Sequence, residues 1–158
     1  MSSFLEIKME TDGSLYRSAM PFGEYDRSVD LLEKYLVHGV TTVVVLADDD
    51  ECIKKAGKNL RAYYAVQGLN VLALPCADYG IPGKAETMRT VKESLKRLGK
   101  GENLAVHCSA GRGRTGTFLA CLAKEHWALS GDDALVWVRR QIPRAVETTE
   151  QEDFVRRY

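Results

Sequence analysis

Apolar and polar residues follow one another in short segments separated by turn residues, a pattern that predicts strands and helices in succession. Residues 4–9 alternate apolar and polar positions, residues 11–14 supply turn chemistry, and residues 15–19 can return as a second strand. We therefore predict an N-terminal hairpin. Three short apolar runs predict further strands over residues 40–46, 70–74 and 103–107.

The first predicted helix depends on a capping residue and on apolar spacing. Ser28 is suited to cap it, and Gly39 stands where a helix commonly ends. The apolar residues Val29, Leu32 and Leu36 then share one face, which we expect to be buried. Further helices are predicted over residues 50–67 with a break at position 57, over residues 88–98, over residues 115–129, and from a cap at position 130 to the proline at position 143.

The order of these elements indicates the fold class. The last helix is predicted to begin with a capping box formed by Thr149 and Glu152. Strands alternate with helices along most of the chain, which predicts a central, mostly parallel mixed sheet flanked by helices. With 158 residues, 45% of them hydrophobic, the chain can bury a full core. We predict a single α/β domain over residues 1–158.

Composition narrows the possible partners and the compartment. The 22 basic residues balance the 22 acidic ones, which excludes a broadly basic surface, so no nucleic-acid partner is expected. The longest apolar run, residues 39–47, is about half the length of a membrane span, and no span or export signal is expected. The four cysteines form no CxxC pair, which favours reduced thiols and a cytoplasmic location.

The segment over residues 107–116 carries the clearest chemical signal. Cys108 and Arg114 are separated by five residues, between a predicted strand and a predicted helix. A loop that enters a helix N-terminus directs several backbone N–H groups at one point and so forms an anion cradle. Arg114 can bind two phosphoryl oxygens at once. The predicted phosphate-binding residues are Ser109, Ala110, Gly111, Arg112, Gly113 and Arg114.

The same loop places a sulfur atom where phosphorus would be bound. The helix N-terminus and the nearby cations favour the thiolate form of Cys108, which is a nucleophile. Thr115 can donate a hydrogen bond to this sulfur and so help it both to ionise and to leave. His107 either fixes the loop by bonding backbone carbonyls or is a core histidine at a strand end. Arg112 either favours highly anionic substrates or is an exposed arginine.

Residues 107–116 resemble the signature loop of the cysteine-dependent protein tyrosine phosphatase superfamily, and of its compact dual-specificity group in particular. Residues 75–82 resemble the acid loop of small members, and residues 144–151 resemble their C-terminal segment. The resemblance implies that Cys108 forms a phosphocysteine intermediate, that Arg114 binds phosphate and that Asp78 is the general acid. It further implies that Gln151 helps to position the hydrolytic water, with no metal or cofactor involved.

The acid role of Asp78 also has a physical argument of its own. An alkoxide or phenolate leaving group needs a proton, and a carboxyl group on a flexible loop rich in proline and glycine can deliver it. The run Asp48 to Glu51 superficially resembles a metal site, but acids in front of a helix usually complement the helix dipole. We therefore expect no metal at this run.

The expected substrate is a phosphorylated protein or peptide that carries phosphotyrosine or phosphoserine/threonine, as the resemblance and the short chain imply. The loop recognises the phosphoryl group alone, which leaves open a phosphoinositide, an inositol phosphate or an RNA 5′-triphosphate. A non-catalytic phosphobinding module is a further alternative. The sequence also leaves open whether Cys76 or Cys121 forms a regulatory disulfide with Cys108.

Overall fold

The computed structural model describes residues 2–158, which form one sheet of five strands and seven helices. The strands are β1 (Phe4–Ile7), β2 (Leu15–Ser18), β3 (Val40–Val45), β4 (Asn70–Ala73) and β5 (Asn103–His107). The helices are α1 (Leu31–Val37), α2 (Asp49–Ala56), α3 (Leu60–Val66), α4 (Lys84–Gly99), α5 (Gly113–Trp127), α6 (Gly131–Gln141) and α7 (Thr149–Arg157).

The sheet is mixed and mostly parallel, as predicted. Its strand order is β1-β2-β5-β3-β4, and the hairpin of β1 and β2 supplies the antiparallel pair. Strands β2, β5, β3 and β4 run parallel to one another. Val45 pairs with His107 on one side and with Ala73 on the other, so three strands end at the same level.

Helices cover both faces of the sheet, which explains the uninterrupted apolar runs of its central strands. Val44 and Val106 point into one core, which also contains buried residues of α4, α5, α6 and α7. Val43, Val45 and Ala105 point to the opposite face, towards buried residues of α1, α2 and α3. The alternation of side chains along each strand therefore supplies two cores, one on each face.

The first helix begins later than predicted, and its predicted buried face is wrong in part, because of the three predicted residues only Leu32 packs against the core. Ser28 does not cap it, because α1 begins at Leu31. Val29 and Leu36 are exposed, whereas Leu31 and Tyr35 are buried.

A turn held by Asp26 explains the late start of α1. One carboxylate oxygen of Asp26 accepts from the backbone N–H of Phe22 and the other from that of Asp30. The backbone N–H of Val29 donates to the carbonyl oxygen of Asp26, and Val29 has a φ of 52°. This left-handed residue cannot belong to a right-handed helix, so α1 begins beyond it.

The capping box of α7 lies one residue earlier than predicted. The Thr148 hydroxyl accepts from the backbone N–H of Gln151, and the Gln151 side chain accepts from the backbone N–H of Thr148. Thr149 is therefore the first helical residue, and Glu152 contacts Arg139 at 3.0 Å instead.

Other sequence-based expectations are confirmed. Gly57, with a φ of 75°, separates α2 from α3, and Ser130 caps α6 by accepting from the backbone N–H of Asp133.

Among residues 2–158, no helix has the length and apolar character that a membrane span requires.

Candidate active site

Three segments that follow parallel strands meet at one edge of the sheet. Cys108 follows β5, Glu51 lies in the first turn of α2 beyond β3, and Asp78 lies in the loop beyond β4. Since β4, β3 and β5 are neighbours that end at one level, the topology brings these residues together. Ligands of open α/β sheets bind at this carboxyl edge.

The Cys108 sulfur lies at the base of the loop that enters α5. Cys108 is 3% exposed, and its Sγ accepts a hydrogen bond from Thr115 Oγ1 at 3.2 Å. Helix α5 begins at Gly113, and no side chain caps its N-terminus. The first-turn N–H groups, which lack intrahelical partners, are therefore available to an anion.

Arg17 supports this loop from behind. Its buried guanidinium donates to the carbonyl oxygen of Gly111 at 2.6 and 3.1 Å and to that of Ala110 at 3.1 Å. Gly111 has a φ of 79°, and a β-carbon there would overlap the Arg17 side chain and lie 2.5 Å from the carbonyl oxygen of Ser18. Only glycine fits this close approach, which directs two loop carbonyls towards Arg17.

His107 is fully buried beneath the loop. Its Nδ1 lies 3.0 Å from the carbonyl oxygen of Cys108, and its Nε2 lies 2.8 Å from the Tyr64 hydroxyl. Burial lowers the pKa of His107 to about 4, so the ring is neutral near pH 7. Because a carbonyl oxygen only accepts, Nδ1 carries the proton and donates, and Tyr64 donates to Nε2. The ring therefore links the loop to α3.

Glu51 holds Arg114 in a fixed orientation. The two carboxylate oxygens of Glu51 accept from Nη1 and Nη2 of Arg114, each at 2.8 Å, and the carbonyl oxygen of Cys76 accepts from Nη1 at 3.1 Å. Burial disfavours the charged guanidinium, but the hydrogen bonds that Arg114 donates to Glu51 outweigh it and raise the pKa of Arg114. Arg114 is thus a permanent cation, and Glu51 occupies its outer edge.

The other edge of the Arg114 guanidinium is only partly occupied. Nε is buried and has no hydrogen-bond partner in the described residues, and Nη2, besides its bond to Glu51, lies 3.2 Å from the exposed Asp78 carboxylate. Buried donors without partners are rare in proteins because they cost free energy. Nε and Nη2 lie on one edge of the guanidinium, the geometry with which an arginine can bind two oxygens of one anion.

Asp78 lies at the mouth of the site between two cations. Its side chain is 42% exposed, with Oδ1 3.2 Å from Arg114 Nη2 and Oδ2 3.5 Å from Lys55 Nζ. Lys55 also contacts Glu51 at 2.9 Å and donates to Ser109 Oγ at 3.2 Å. Lys55 therefore connects the acid loop to the signature loop.

These residues surround a cavity of about 240 Å³, which we call the active cleft. Its lining residues are Glu24, Tyr25, Lys55, Asp78, Tyr79, Cys108, Ser109, Ala110, Arg112 and Glu147. Tyr79 is 61% exposed, so its ring lies at the rim of the cleft rather than in the core. Its backbone is left-handed, with a φ of 63°.

Gln151 lies away from the cleft surface. It is fully buried, its Oε1 accepts from the backbone N–H groups of Glu147 and Thr148, and its Nε2 donates to the carbonyl oxygen of Gly80 at 3.1 Å. In this arrangement Gln151 ties the start of α7 to the acid loop.

The structure also shows the state of the cysteines and the role of Asp48 in the acidic run before α2. All four cysteines are free, and burial raises the pKa of Cys76 to about 11 and that of Cys121 to about 12. Asp48 caps α2 by accepting from the backbone N–H of Glu51. Across residues 2–158, no group of three potential metal-ligating side chains is arranged to hold an ion.

Sequence reasoning missed Glu51, Lys55 and Arg17. The acidic run that contains Glu51 was attributed to the dipole of α2 alone. Its position directly after a predicted parallel strand was an available signal, because the carboxyl ends of parallel strands lie at one edge of the sheet, and the i,i+4 spacing of Glu51 and Lys55 was another. Arg17 carries no signal of its own, because a charged residue in an alternating strand reads as solvent-facing.

The comparison with protein families agrees with this geometry. The family model described as "PTP-SAK: Swiss Army Knife protein, DSP-PTPase phosphatase domain" matches residues 13–155. The chain therefore belongs to this family of phosphatase domains.

Individual relatives extend the comparison. The chain is 28% identical over 145 residues to the protein tyrosine phosphatase domain-containing protein 1 of Danio rerio, covering 87% of this chain and 20% of that protein. It is 30% identical over 145 residues to the human dual specificity protein phosphatase CDC14C, covering 88% of this chain and 29% of that protein. The active form of Tk-PTP superposes with a TM-score of 0.76 at 27% identity, covering 96% of this chain and 94% of that one. The chain thus spans only about a fifth to three tenths of these curated relatives.

Proposed function

We propose that this chain is a cysteine-dependent protein phosphatase that hydrolyses phosphotyrosine and phosphoserine/threonine monoesters, with residues 1–158 as one catalytic domain. The observation that carries this proposal is the buried, unpartnered Nε of Arg114 in the loop that also holds the Cys108 sulfur, at the uncapped start of α5. A phosphoryl group would supply the missing acceptors, and the loop amides would bind its remaining oxygens. Family membership supports the same reading.

In the first chemical step, the Cys108 thiolate attacks phosphorus in line with the leaving oxygen. An S–P bond forms as the P–O bond to the substrate breaks, and the leaving oxygen takes a proton from Asp78. Thr115 stabilises the sulfur through its 3.2 Å hydrogen bond. Arg114 and the amides of residues 109–114 stabilise the phosphoryl oxygens.

Substrate binding would also prepare Asp78 for this proton transfer. In the unliganded site, the Asp78 carboxylate faces Arg114 Nη2 at 3.2 Å. A bound phosphoryl group would take that donor, which leaves the Asp78 carboxyl group free to meet the leaving oxygen. After the leaving group departs, the Asp78 carboxylate accepts a proton from the water that attacks the S–P bond and releases phosphate.

The supporting residues act through the loop. His107 and Arg17 bond three of its carbonyl oxygens, and this fixes the directions of its amides. Gln151 holds the acid loop through Gly80, and from there it would influence the hydrolytic water indirectly. The free thiols support a reducing compartment such as the cytoplasm.

The first test measures phosphate release from phosphotyrosyl and phosphothreonyl peptides, with a reductant and EDTA present. We expect the wild-type protein to release phosphate and Cys108→Ser to bind the peptides without turnover. Cys76→Ser is the matched control: Cys76 is half-buried, and its contact with Arg114 is through the backbone carbonyl, so activity should persist. Binding without hydrolysis by the wild-type protein would favour a phosphobinding module instead.

The second test addresses the proton donor. Asp78→Asn should slow hydrolysis of alkyl phosphates more than that of aryl phosphates with acidic phenols, since only poor leaving groups need the proton. Equal losses for all leaving groups would reject the acid role. Phosphoinositides, inositol phosphates and triphosphate RNA complete the panel, and a clear preference for one of them would replace the protein-substrate reading.

A further inference from the structure

A second cavity, of about 440 Å³, lies beside the active cleft. Tyr25, Ala110 and Arg112 line both cavities, so the signature loop separates them and contributes to each. We call the second one the cationic cavity, because Arg17, Arg27, Lys34 and Arg112 all line it. We infer that it binds a second phosphoryl group carried by the same protein substrate, an inference that rests on the proposed function.

The positive charge of the cationic cavity is largely unneutralised. Its one lining carboxylate, Asp30, lies 3.2 Å from Lys34. Within residues 2–158, no carboxylate lies at ion-pair distance from Arg17, Arg27 or Arg112. Charged groups removed from water are costly unless they are paired, so this arrangement favours an anionic ligand.

The fully buried Arg17 and the half-buried Arg112 both carry positive charge that no carboxylate neutralises. Arg17 is fully buried, and its partners are backbone carbonyl oxygens that carry no net charge. Burial accordingly lowers the pKa of Arg17. The Nε atom of Arg112 is buried and has no hydrogen-bond partner in residues 2–158, although it lies between the two cavities.

The active cleft contains carboxylates that the cationic cavity lacks, together with the cation Lys55. Glu24, Asp78 and Glu147 line the active cleft, and none of them lines the cationic cavity. A second phosphoryl group on the substrate would be repelled by these carboxylates and drawn towards Arg27 and Arg112. The charge distribution therefore favours a substrate that extends from the active cleft across the signature loop to the cationic cavity.

The lining chemistry favours a phosphorylated protein over a lipid. No leucine, isoleucine, valine, methionine or phenylalanine is among the lining residues of the cationic cavity, so acyl chains would find no large aliphatic side chain there. Tyr25, 39% exposed, lies between the two cavities and offers a ring to a peptide that passes from one to the other. Arginine binds phosphoryl oxygens in bidentate fashion, as a second phosphorylated residue would require.

The test compares pairs of peptides that differ only in a second phosphorylated residue placed one or two positions from the first. We expect the wild-type protein to hydrolyse the doubly phosphorylated member with a kcat/KM about tenfold higher, as one added charge-assisted contact allows. Arg27→Glu should abolish this preference and leave kcat/KM for the singly phosphorylated member unchanged. Arg27 is exposed and makes no ion pair or side-chain hydrogen bond in the described structure, so the fold should tolerate the change.

Arg140→Glu is the matched control, because Arg140 is an exposed arginine in the last turn of α6 and carries the same charge change away from the site. The Arg140→Glu protein should keep the preference for the doubly phosphorylated peptide. Equal kcat/KM values for the two peptides in the wild-type protein would overturn the inference, while hydrolysis of both would leave the proposed function intact. An Arg27-dependent preference for inositol bisphosphate alone would overturn the protein-substrate assignment.

A binding measurement separates the inference from catalysis. Cys108→Ser should bind the doubly phosphorylated peptide about tenfold more tightly than the single one in calorimetry, and Arg27→Glu in that background should remove the difference. This difference in affinity would support the second site even if the wild-type protein hydrolysed neither peptide. In that case only the proposed phosphatase activity would be rejected. Equal affinities in the Cys108→Ser protein would reject the second site.

Discussion

Lowering the pH from about 7.5 to about 5.0 should destabilise this protein through His107. The folded protein keeps the buried ring neutral, with a pKa of about 4, whereas an exposed histidine has a pKa of 6.5. In this pH window the unfolded chain therefore binds a proton that the folded protein does not. The stability contributed by neutral His107 is complete above pH 6.5 and is lost as the pH falls towards 4.

The magnitude follows from the two pKa values. Proton linkage gives a loss of about 2 kcal/mol in the free energy of unfolding between about pH 7.5 and about pH 5.0. Few other shifted groups titrate in this window. The hydrogen bond from Arg61 lowers the pKa of Asp49, and hydrogen bonds from Arg114 and Lys55 outweigh burial to lower that of Glu51.

Urea unfolding across this pH range measures the effect. His107→Gln keeps polar atoms at the position but cannot take up the proton, so its stability should fall by about 2 kcal/mol less than that of the wild-type protein. His38→Gln is the control, since His38 is exposed at the end of α1 and should leave the wild-type loss unchanged. Parallel pH profiles for His107→Gln and the wild-type protein would refute the reasoning.

Three substitutions test the scaffold of the site. Glu51→Gln should raise KM for a phosphopeptide about tenfold with a smaller change in kcat, because Arg114 loses the charged partner that orients it. Steady-state kinetics measures both constants, and Lys54→Gln, at an exposed position of the same helix, is the control. Arg17→Ala should lower the free energy of unfolding by about 2–4 kcal/mol in urea titrations, since two buried loop carbonyls lose their donor. Gly111→Ala should lower kcat/KM at least about tenfold and also reduce stability, because a side chain at a φ of 79° is strained and overlaps Arg17.

Each of these expectations has a contrary result. An unchanged KM in Glu51→Gln would show that the helix backbone alone orients Arg114. A stability loss below about 1 kcal/mol in Arg17→Ala would mean that water replaces the guanidinium. Full activity in Gly111→Ala would show that the loop can shift away from Arg17 without disturbing its amides.

Much of the fold was available from the sequence because it depends on local periodicity. Runs such as residues 43–46 are apolar at every position when a strand is covered on both faces, and alternation with helices then implies a parallel sheet. The starts of α1 and α7 were misplaced because turns with left-handed residues or competing caps can shift a helix by one to three residues. Asp26 and Thr148 decide those starts, and their roles depend on backbone conformation.

The sequence by itself determined the chemistry of the signature loop, since the spacing of Cys108 and Arg114 between a strand and a helix is a local property. Only the tertiary structure decided how Arg114 is oriented, what supports the loop and where a second anion could bind. Glu51, Arg17 and Arg27 come from segments distant in sequence, and the strand order brings the first two to the loop. Contacts between neighbouring strands depend on this order, which a pattern along one chain does not specify.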